Sequence, residues 1–516
     1  MITHAPNRLP VATVLAAAGC VSCAGAAGPA GRPNILFMFS DDHAVQAISA
    51  YDDRLIQTPN IDRIAREGVL FRANFCGNSI CSPSRASILT GTHSHINGVT
   101  MWQRFDGSQA TFPRLMQEAG YVTGLFGKWH LGSDPTGFDE WMVFPGQGEY
   151  YNPDYITPKG TVRIEGYSEE ISAGLTRKFI RDHKADGKPF LAMLHFKAPH
   201  RSWMPGPNQL NLFRNQRFPE PPTLFDDYSG RAGPLARHMM GIGAHLRLDH
   251  DLKIPGARGP VAGTARMTPA QRAAWDAAYR AENEAFQANP PTGRDRVRWN
   301  YQRYMADYLR CIAGVDEQVG RMLEFLEEEG LAGNTIVIYS SDQGFYLGEH
   351  GWYDKRWMFE ESFRMPLMIR WPGRIRPGTG VGALTQNIDY APTLLEAAGL
   401  PVPADMQGRS LLPLVAQPSM PWRDALYYHY YDGPGEHGVA KHYGIRTARY
   451  KLIRYYADDA WDMFDLQKDP GELRSVYDDP AYADVRKQLE RRLEELKREY
   501  RNPVYTVGDE KKVPVR

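Results

Sequence analysis

The chain has 516 residues, and its 60 basic and 60 acidic side chains leave a formal charge of zero. That length holds a large domain plus a smaller one, and the charge balance excludes the basic footprint of a nucleic-acid-binding protein. Five cysteines in so long a chain exclude a disulfide-stapled scaffold.

The first predicted element is an export signal over residues 1–26. His4 and Arg8 give a weakly basic start, residues 9–18 form a short apolar run, and Ala24-Gly25-Ala26 offers an A-x-A cleavage site. The run is too short to span a bilayer, which points to a periplasmic or secreted protein without a transmembrane segment. Lipoprotein processing at Cys20 is the alternative, although Ala17-Ala18-Gly19-Cys20 matches a lipobox poorly. Cleavage leaves Cys76, Cys81 and Cys311, so at least one thiol is free or chemically used.

An alternating α/β pattern follows. Residues 34–39 (NILFMF) are a continuous apolar run, expected of a strand buried on both faces, and end in Ser40-Asp41-Asp42-His43. Residues 58–68 read as a short helix closed by glycine. Residues 121–126 are a second strand leading into Gly127-Lys128-Trp129-His130, and residues 190–196 a third leading into Lys197-Ala198-Pro199-His200. About 203–298 reads as an insertion of loops and short helices, rich in Pro, Arg and Asn. A long amphipathic helix over 304–329 precedes a fourth strand, 335–340, which ends in Ser341-Asp342-Gln343. Residues 391–399 are a short helix. Beyond Trp422 the texture changes to short antiparallel strands (425–431, 443–446, 450–455) and a charged helix, 482–500. The predicted fold class is α/β: a large, mixed, mostly parallel sheet flanked by helices over 27–415, and a smaller α+β domain with a short antiparallel sheet over 416–516.

Four apolar strands ending in ionisable residues place a site at the strand C-termini. Asp41 and Asp42 at one end, with Asp342 and Gln343 at another, form an oxygen-only ligand set. Such a set suits a hard divalent cation, Ca2+ or Mg2+, over zinc. An isolated pair of aspartates would read as a cap; two acidic strand ends in one sheet favour a metal. Lys128, His130, His200 and Lys355 are the accompanying cations and acid/base candidates. Finally, Cys81-Ser82-Pro83-Ser84-Arg85-Ala86-Ser87-Ile88-Leu89-Thr90-Gly91 reads as a loop feeding a helix. This puts a thiol near a helix N-terminus, which favours an anion, beside an arginine suited to oxyanions.

That window resembles the signature of the formylglycine-dependent sulfatases of the alkaline phosphatase superfamily, in which the leading cysteine is oxidised to an aldehyde. The accompanying pattern follows in order: Asp41-Asp42, Gly127-Lys128-Trp129-His130, Pro199-His200, Ser341-Asp342-Gln343-Gly344 and Lys355. The resemblance spans about residues 32–480. It implies that Asp41, Asp42, Asp342, Gln343 and the modified Cys81 hold Ca2+; Gln343 stands where most of the family has Asn or His. It implies that a hydrated aldehyde at Cys81 attacks sulfur while Arg85, Lys128 and Lys355 balance charge. His200, with Lys355, would protonate the leaving oxygen, and His130 would act as base when sulfate is expelled. A formylglycine-generating maturation enzyme is the implied partner.

Residues 341–356 and the block Tyr428 to Arg446 resemble bacterial sulfatases related to N-acetylglucosamine-6-sulfatase. The implied substrate is a sulfated carbohydrate, a 6-O-sulfated amino sugar of a glycosaminoglycan or mucin, with His437 and His442 reading sugar hydroxyls; iduronate 2-sulfate, other sulfated hexoses and algal polysaccharides stay open. Two other functions stay open at this point. One is a phosphonate monoester or phosphodiester hydrolase of the same superfamily. The other is a non-catalytic glycan-binding protein, should Cys81 be unmodified. Oligomeric state also stays open.

Overall fold

The computed structural model describes residues 1–2, 31–256, 260–433 and 435–502. The expected export signal, with its apolar run, Cys20 and the cleavage site, lies outside the described residues.

Strands are numbered along the chain. The larger part holds β1 (Asn34–Ser40), β2 (Val69–Phe71), β3 (Asn74–Phe75), β4 (Val122–Gly127), β5 (Glu140–Val143), β6 (Asp154–Thr157), β7 (Gly160–Arg163), β8 (Phe190–His195), β9 (Thr335–Ser341), β10 (Leu367–Arg370), β11 (Thr379–Val381) and β12 (Thr385–Gln386). Ten of these form one sheet in the order β11-β2-β10-β9-β1-β8-β4-β5-β6-β7, and β3 pairs with β12 separately. The middle run β9-β1-β8-β4-β5 is parallel, whereas β10 joins β9, and β6 joins β5, antiparallel. The sheet is therefore mixed with a parallel centre, as the sequence predicts.

The apolar run in β1 is explained by its position. Ile35, Phe37 and Phe39 point into one hydrophobic cluster, and Leu36 and Met38 into another on the opposite face. A strand's period of two serves both layers at once. One face is covered by the helices Ser168–His183 and Gly293–Glu328, the other by Cys81–Thr90 and Tyr390–Ala397. Two readings need correction. The long helix starts at Gly293, not near 304, and spans 36 residues. The segment before it is not only loops and short helices, because Pro269–Ala288 is a 20-residue helix opened by a Thr268–Gln271 capping box.

The C-terminal part is a four-stranded antiparallel sheet, β13 (Ala425–Tyr430), β14 (His442–Thr447), β15 (Tyr450–Tyr455) and β16 (Ala460–Asp465), in that order. The helix Ala483–Glu499 packs Leu489, Leu493 and Leu496 against it. Among the described residues no helix is long and apolar enough to cross a membrane.

Candidate active site

Register brings the acidic strand ends together. Ser40 pairs with Ser341 across β1 and β9, so the next residues, Asp41 and Asp342, emerge side by side. The Asp42 backbone N–H donates to Asp342 Oδ1 at 3.0 Å. On the other flank, Gly127 of β4 pairs with His195 of β8. A Cβ on Gly127 would collide with the His195 carbonyl, so only glycine brings Lys128 in this close.

Cys81 is the first residue of the helix Cys81–Thr90, whose residues are all buried. The helix ends at Gly91 in the left-handed region (φ 65°), the usual glycine stop. Arg85 stands one turn after Cys81 and so shares its face. Its Nη2 lies 3.2 Å from both Asp41 Oδ2 and Asp342 Oδ2. Its Nη1 donates to the Lys128 carbonyl at 2.9 Å, and its guanidinium lies over the Phe39 ring. Lys128 pairs with Asp41, and Lys355 with Asp42. Cys81 Sγ sits 3.4 Å from Asp41 Oδ1 and 3.3 Å from Lys355 Nζ. Three carboxylates and three cations thus surround one thiol.

The local electrostatics follow from that packing. Burial pushes Asp41 up, but Lys128, His200, Arg85 and Lys355 together hold it well below the usual carboxylate range. Burial, aided by neighbouring aspartates, raises Asp42 and Asp342. The Cys81 thiol is pushed well up by burial and by Asp41, so burial outweighs the helix N-terminus that favours an anion in the sequence reading. An unmodified Cys81 is a poor thiolate here. Burial lowers the Lys355 ammonium, but Asp42 and Cys81 raise it well above the ordinary lysine value. Burial and Lys128 push His200 well down and His130 to about 2.

The acidic residues suit a cation. Oxygens of Asp41, Asp42 and Asp342 lie within 4.8 Å of one another. Asp42 Oδ2 and Gln343 Oε1 are buried without a hydrogen-bond partner, while Gln343 Nε2 donates to Asp42. Buried oxygens left without donors are what a hard cation would satisfy. A second, mixed group joins Asp41, Cys81 and His200.

Cys81, His200 and Lys355 open onto a cavity of about 510 Å³. Sequence reasoning missed several of its lining residues: Lys197, Arg201, Arg247, Trp102, Asp354 and Arg356. Backbone strain was the hidden signal for two of them. Asp354 (φ 77°) and Arg356 (φ 96°) hold left-handed conformations on either side of Lys355, and Asp42 (φ 67°) and His130 (φ 56°) do likewise. Such conformations cost energy and gather at functional sites. Lys197 is buried, and burial with Lys128 nearby lowers it to about 8; its Nζ donates to the Gln147 carbonyl at 3.0 Å.

The remaining predicted residues lie farther out. His130 approaches through Ser82, whose Oγ lies 3.3 Å from His130 Nδ1, and exposed Trp102 leans over its ring. His437 stands behind the cavity wall, its Nε2 3.2 Å from Asp354 Oδ2 and its Nδ1 donating to the Met239 carbonyl. His442 does not face the cavity, which corrects the expectation that it reads sugar hydroxyls. Its side chain is fully buried among Trp357, Tyr428 and Tyr430. Nδ1 donates to the Ala440 carbonyl and Nε2 accepts from the Met358 N–H, so neither nitrogen is left for a ligand.

Comparison with known proteins agrees with this geometry. Two family models match: Sulfatase over residues 33–400, and N-sulphoglucosamine sulphohydrolase, C-terminal, over residues 348–499. An N-acetylglucosamine-6-O-sulfatase of Bacteroides thetaiotaomicron is 44% identical over 510 residues, covering 95% of this chain and 91% of that protein. The human N-acetylglucosamine-6-sulfatase is 26% identical over 458 residues, covering 83% and 72%. The solved structure of BT4656 in complex with its substrate D-glucosamine-2-N,6-O-disulfate gives a TM-score of 0.90 at 44% identity, covering 93% of this chain and 100% of that one. A family match across the whole parallel sheet, on a site with an oxygen-only acidic cluster beside Cys81, leads to one assignment: the chain belongs to the sulfatase family and is a sulfuric ester hydrolase.

Proposed function

We propose that this sulfatase removes the 6-O-sulfate from a glucosamine-type sugar of a sulfated glycan. The observation carrying the proposal is the cavity itself. Its floor is Cys81, His200 and Lys355, and its wall carries Asp354 and Arg356 within a space of about 510 Å³, suited to one sugar ring. The similarity to the 6-O-sulfatases supports the same reading.

The residues divide the work as follows. Asp41, Asp42, Asp342, Gln343 and the modified Cys81 would hold Ca2+, which supplies positive charge for the sulfate oxygens and acidifies a neighbouring hydroxyl. Matured by a formylglycine-generating enzyme, Cys81 would carry an aldehyde whose hydrate would supply the nucleophile for sulfur and a second hydroxyl for the release of sulfate. Arg85, Lys128 and Lys355 balance the oxyanion charge from positions already fixed by buried carboxylates, so little reorganisation is needed during reaction. His200 donates Nδ1–H to the Arg201 carbonyl at 2.6 Å, which leaves Nε2 toward the floor, 3.9 Å from Asp42 Oδ2. A bound sulfate ester brings negative charge beside it and raises its proton affinity, so His200, with the protonated Lys355, serves the leaving oxygen. His130 serves as base on the return step. Asp354 and Arg356, with His437 fixing Asp354 from behind, present hydrogen-bonding groups to the sugar hydroxyls. The protein is exported and matured by a formylglycine-generating enzyme.

The test is sulfate release from sulfated glucosamine, galactosamine and uronate mono- and disaccharides, using enzyme matured with a formylglycine-generating partner and a Cys81→Ala control. Release from the 6-sulfated glucosamine members, absent in the control, is the expected result. No release from any of them, with the aldehyde verified by peptide mass, overturns the proposal. Faster turnover of phosphodiesters than of sulfate esters would overturn it in favour of the phosphonate-hydrolase reading.

A further inference from the structure

The cavity walls differ in charge, and one of them is organised around a buried acid that the proposed reaction does not use. The wall formed by the segment after His200 presents Arg201, Arg247 and His250 to the cavity, and no acidic side chain of that segment lines it. The acids next to these residues, Asp249 and Asp251, do not line the cavity. Asp251 is fully buried and acts as a hub. It accepts from Arg201 Nε and Nη2 at 2.7 Å each, from His250 Nδ1 at 2.8 Å and from the Arg247 backbone N–H at 2.7 Å. Arg201 is further held by stacking over the Tyr353 ring at 5.2 Å.

The hub leaves the outward atoms free. Among the described residues, Arg201 Nη1, His250 Nε2 and Arg247 Nε and Nη1 carry no hydrogen bond. The Arg247 side chain is 53% exposed, and its one ion pair, to Asp249, is a loose 3.3 Å contact, of the kind that contributes little in water. The acids that do line the cavity, Glu149, Asp354 and Glu436, belong to other segments. A planar guanidinium fixed by a bidentate carboxylate, with donors left over beside a second guanidinium, is prearranged for an oxyanion.

We infer that Arg201 and Arg247 form a second oxyanion site, which receives an anionic group of the substrate other than the sulfate ester being cleaved. This rests on the sugar-sulfatase reading and makes it more specific. The preferred substrate carries at least two negative groups, one on the Cys81 floor and one on this wall. The shared chemistry is a sulfate or carboxylate oxyanion. It comes either from a second sulfate on the same ring or from the carboxylate of an adjoining uronate.

The test measures binding, so it does not depend on turnover. Calorimetric titrations on a Cys81→Ala background compare three sugars: 6-O-sulfo-N-acetylglucosamine, 6-O-sulfo-N-sulfoglucosamine, and a disaccharide joining a uronate to 6-O-sulfo-N-acetylglucosamine. At least one doubly anionic sugar is expected to bind about tenfold tighter than the singly charged one, the worth of one charge-assisted contact. The sugar that does so identifies the source of the oxyanion. Adding Arg247→Gln, an exposed change the fold tolerates, or Asp251→Asn, followed by melting temperature, should abolish that preference and leave the singly charged sugar within about twofold. Equal affinity for all three sugars, or equal weakening of all three by Arg247→Gln, overturns the inference. A failure of the 6-O-sulfatase reading would show separately, as absent sulfate release by the matured enzyme.

Discussion

The floor and the mouth of the cavity are built on opposite plans. On the floor, Asp41, Asp42, Arg85, Lys128, Asp342 and Lys355 are all buried, and each cation touches a carboxylate. At the mouth, Trp102 is 47% exposed, and Arg247 and Glu436 have side chains more than half exposed. A buried charge constellation is fixed before substrate arrives and penalises any uncompensated change. A wet rim offers contacts that can be lost singly at little cost. The floor should therefore govern kcat and the mouth KM.

The largest expected effect is at Cys81. Cys81→Ala should lower kcat by about 10⁴-fold or more, as removal of a covalent nucleophile does in other hydrolases. Thermal stability should change little, because the thiol makes only long contacts to Asp41 and Lys355. Asp41→Ala comes next. It strips Lys128 and Arg85 of a buried partner and should cost about 3–5 kcal/mol of stability, read as a lower denaturant midpoint, together with loss, by elemental analysis, of the Ca2+ proposed for this site. His200→Ala should cost about 10²–10³-fold in kcat on a sugar sulfate, whose leaving oxygen needs a proton, and much less on an aryl sulfate with a good leaving group. A smaller effect is expected at the mouth: Trp102→Ala should raise KM by a few-fold, about 1 kcal/mol of lost ring contact, with kcat preserved. Last, His442→Ala should remove about 1–3 kcal/mol of stability by leaving the Met358 N–H unsatisfied and a gap in the aromatic stack, with KM unchanged. A raised KM in a well-folded His442→Ala enzyme would restore that residue as a sugar contact.

The same contrast explains what was legible in the sequence. β1, β8 and β9 are buried on both faces, so composition alone betrays them, and their polar ends mark the floor. The floor acids and Cys81 fall in short continuous windows. The mouth is assembled from residues 102, 147–150, 200–202, 204, 247, 250, 262–263 and 436, brought together by tertiary packing that leaves no local periodicity. Strands β2 and β11, the last two at one side of the sheet, have three residues each, too few to display alternation. β16 was missed because Asp462 and Asp465 interrupt its apolar pattern; within the fold they accept from Tyr455 OH and from Arg449. His442 was misread for a related reason. A strand residue's side depends on register, and pairing with Tyr430 turns this imidazole toward Trp357 instead of the cavity.

The division between floor and mouth is tested most directly by steady-state kinetics of Asp342→Asn and Arg247→Gln, side by side, on a doubly sulfated glucosamine. The expected result is a collapse of kcat in the first with no rescue by substrate concentration, and a raised KM with near-normal kcat in the second. A substantial kcat in Asp342→Asn, or an equally deep loss of kcat in Arg247→Gln, would contradict it.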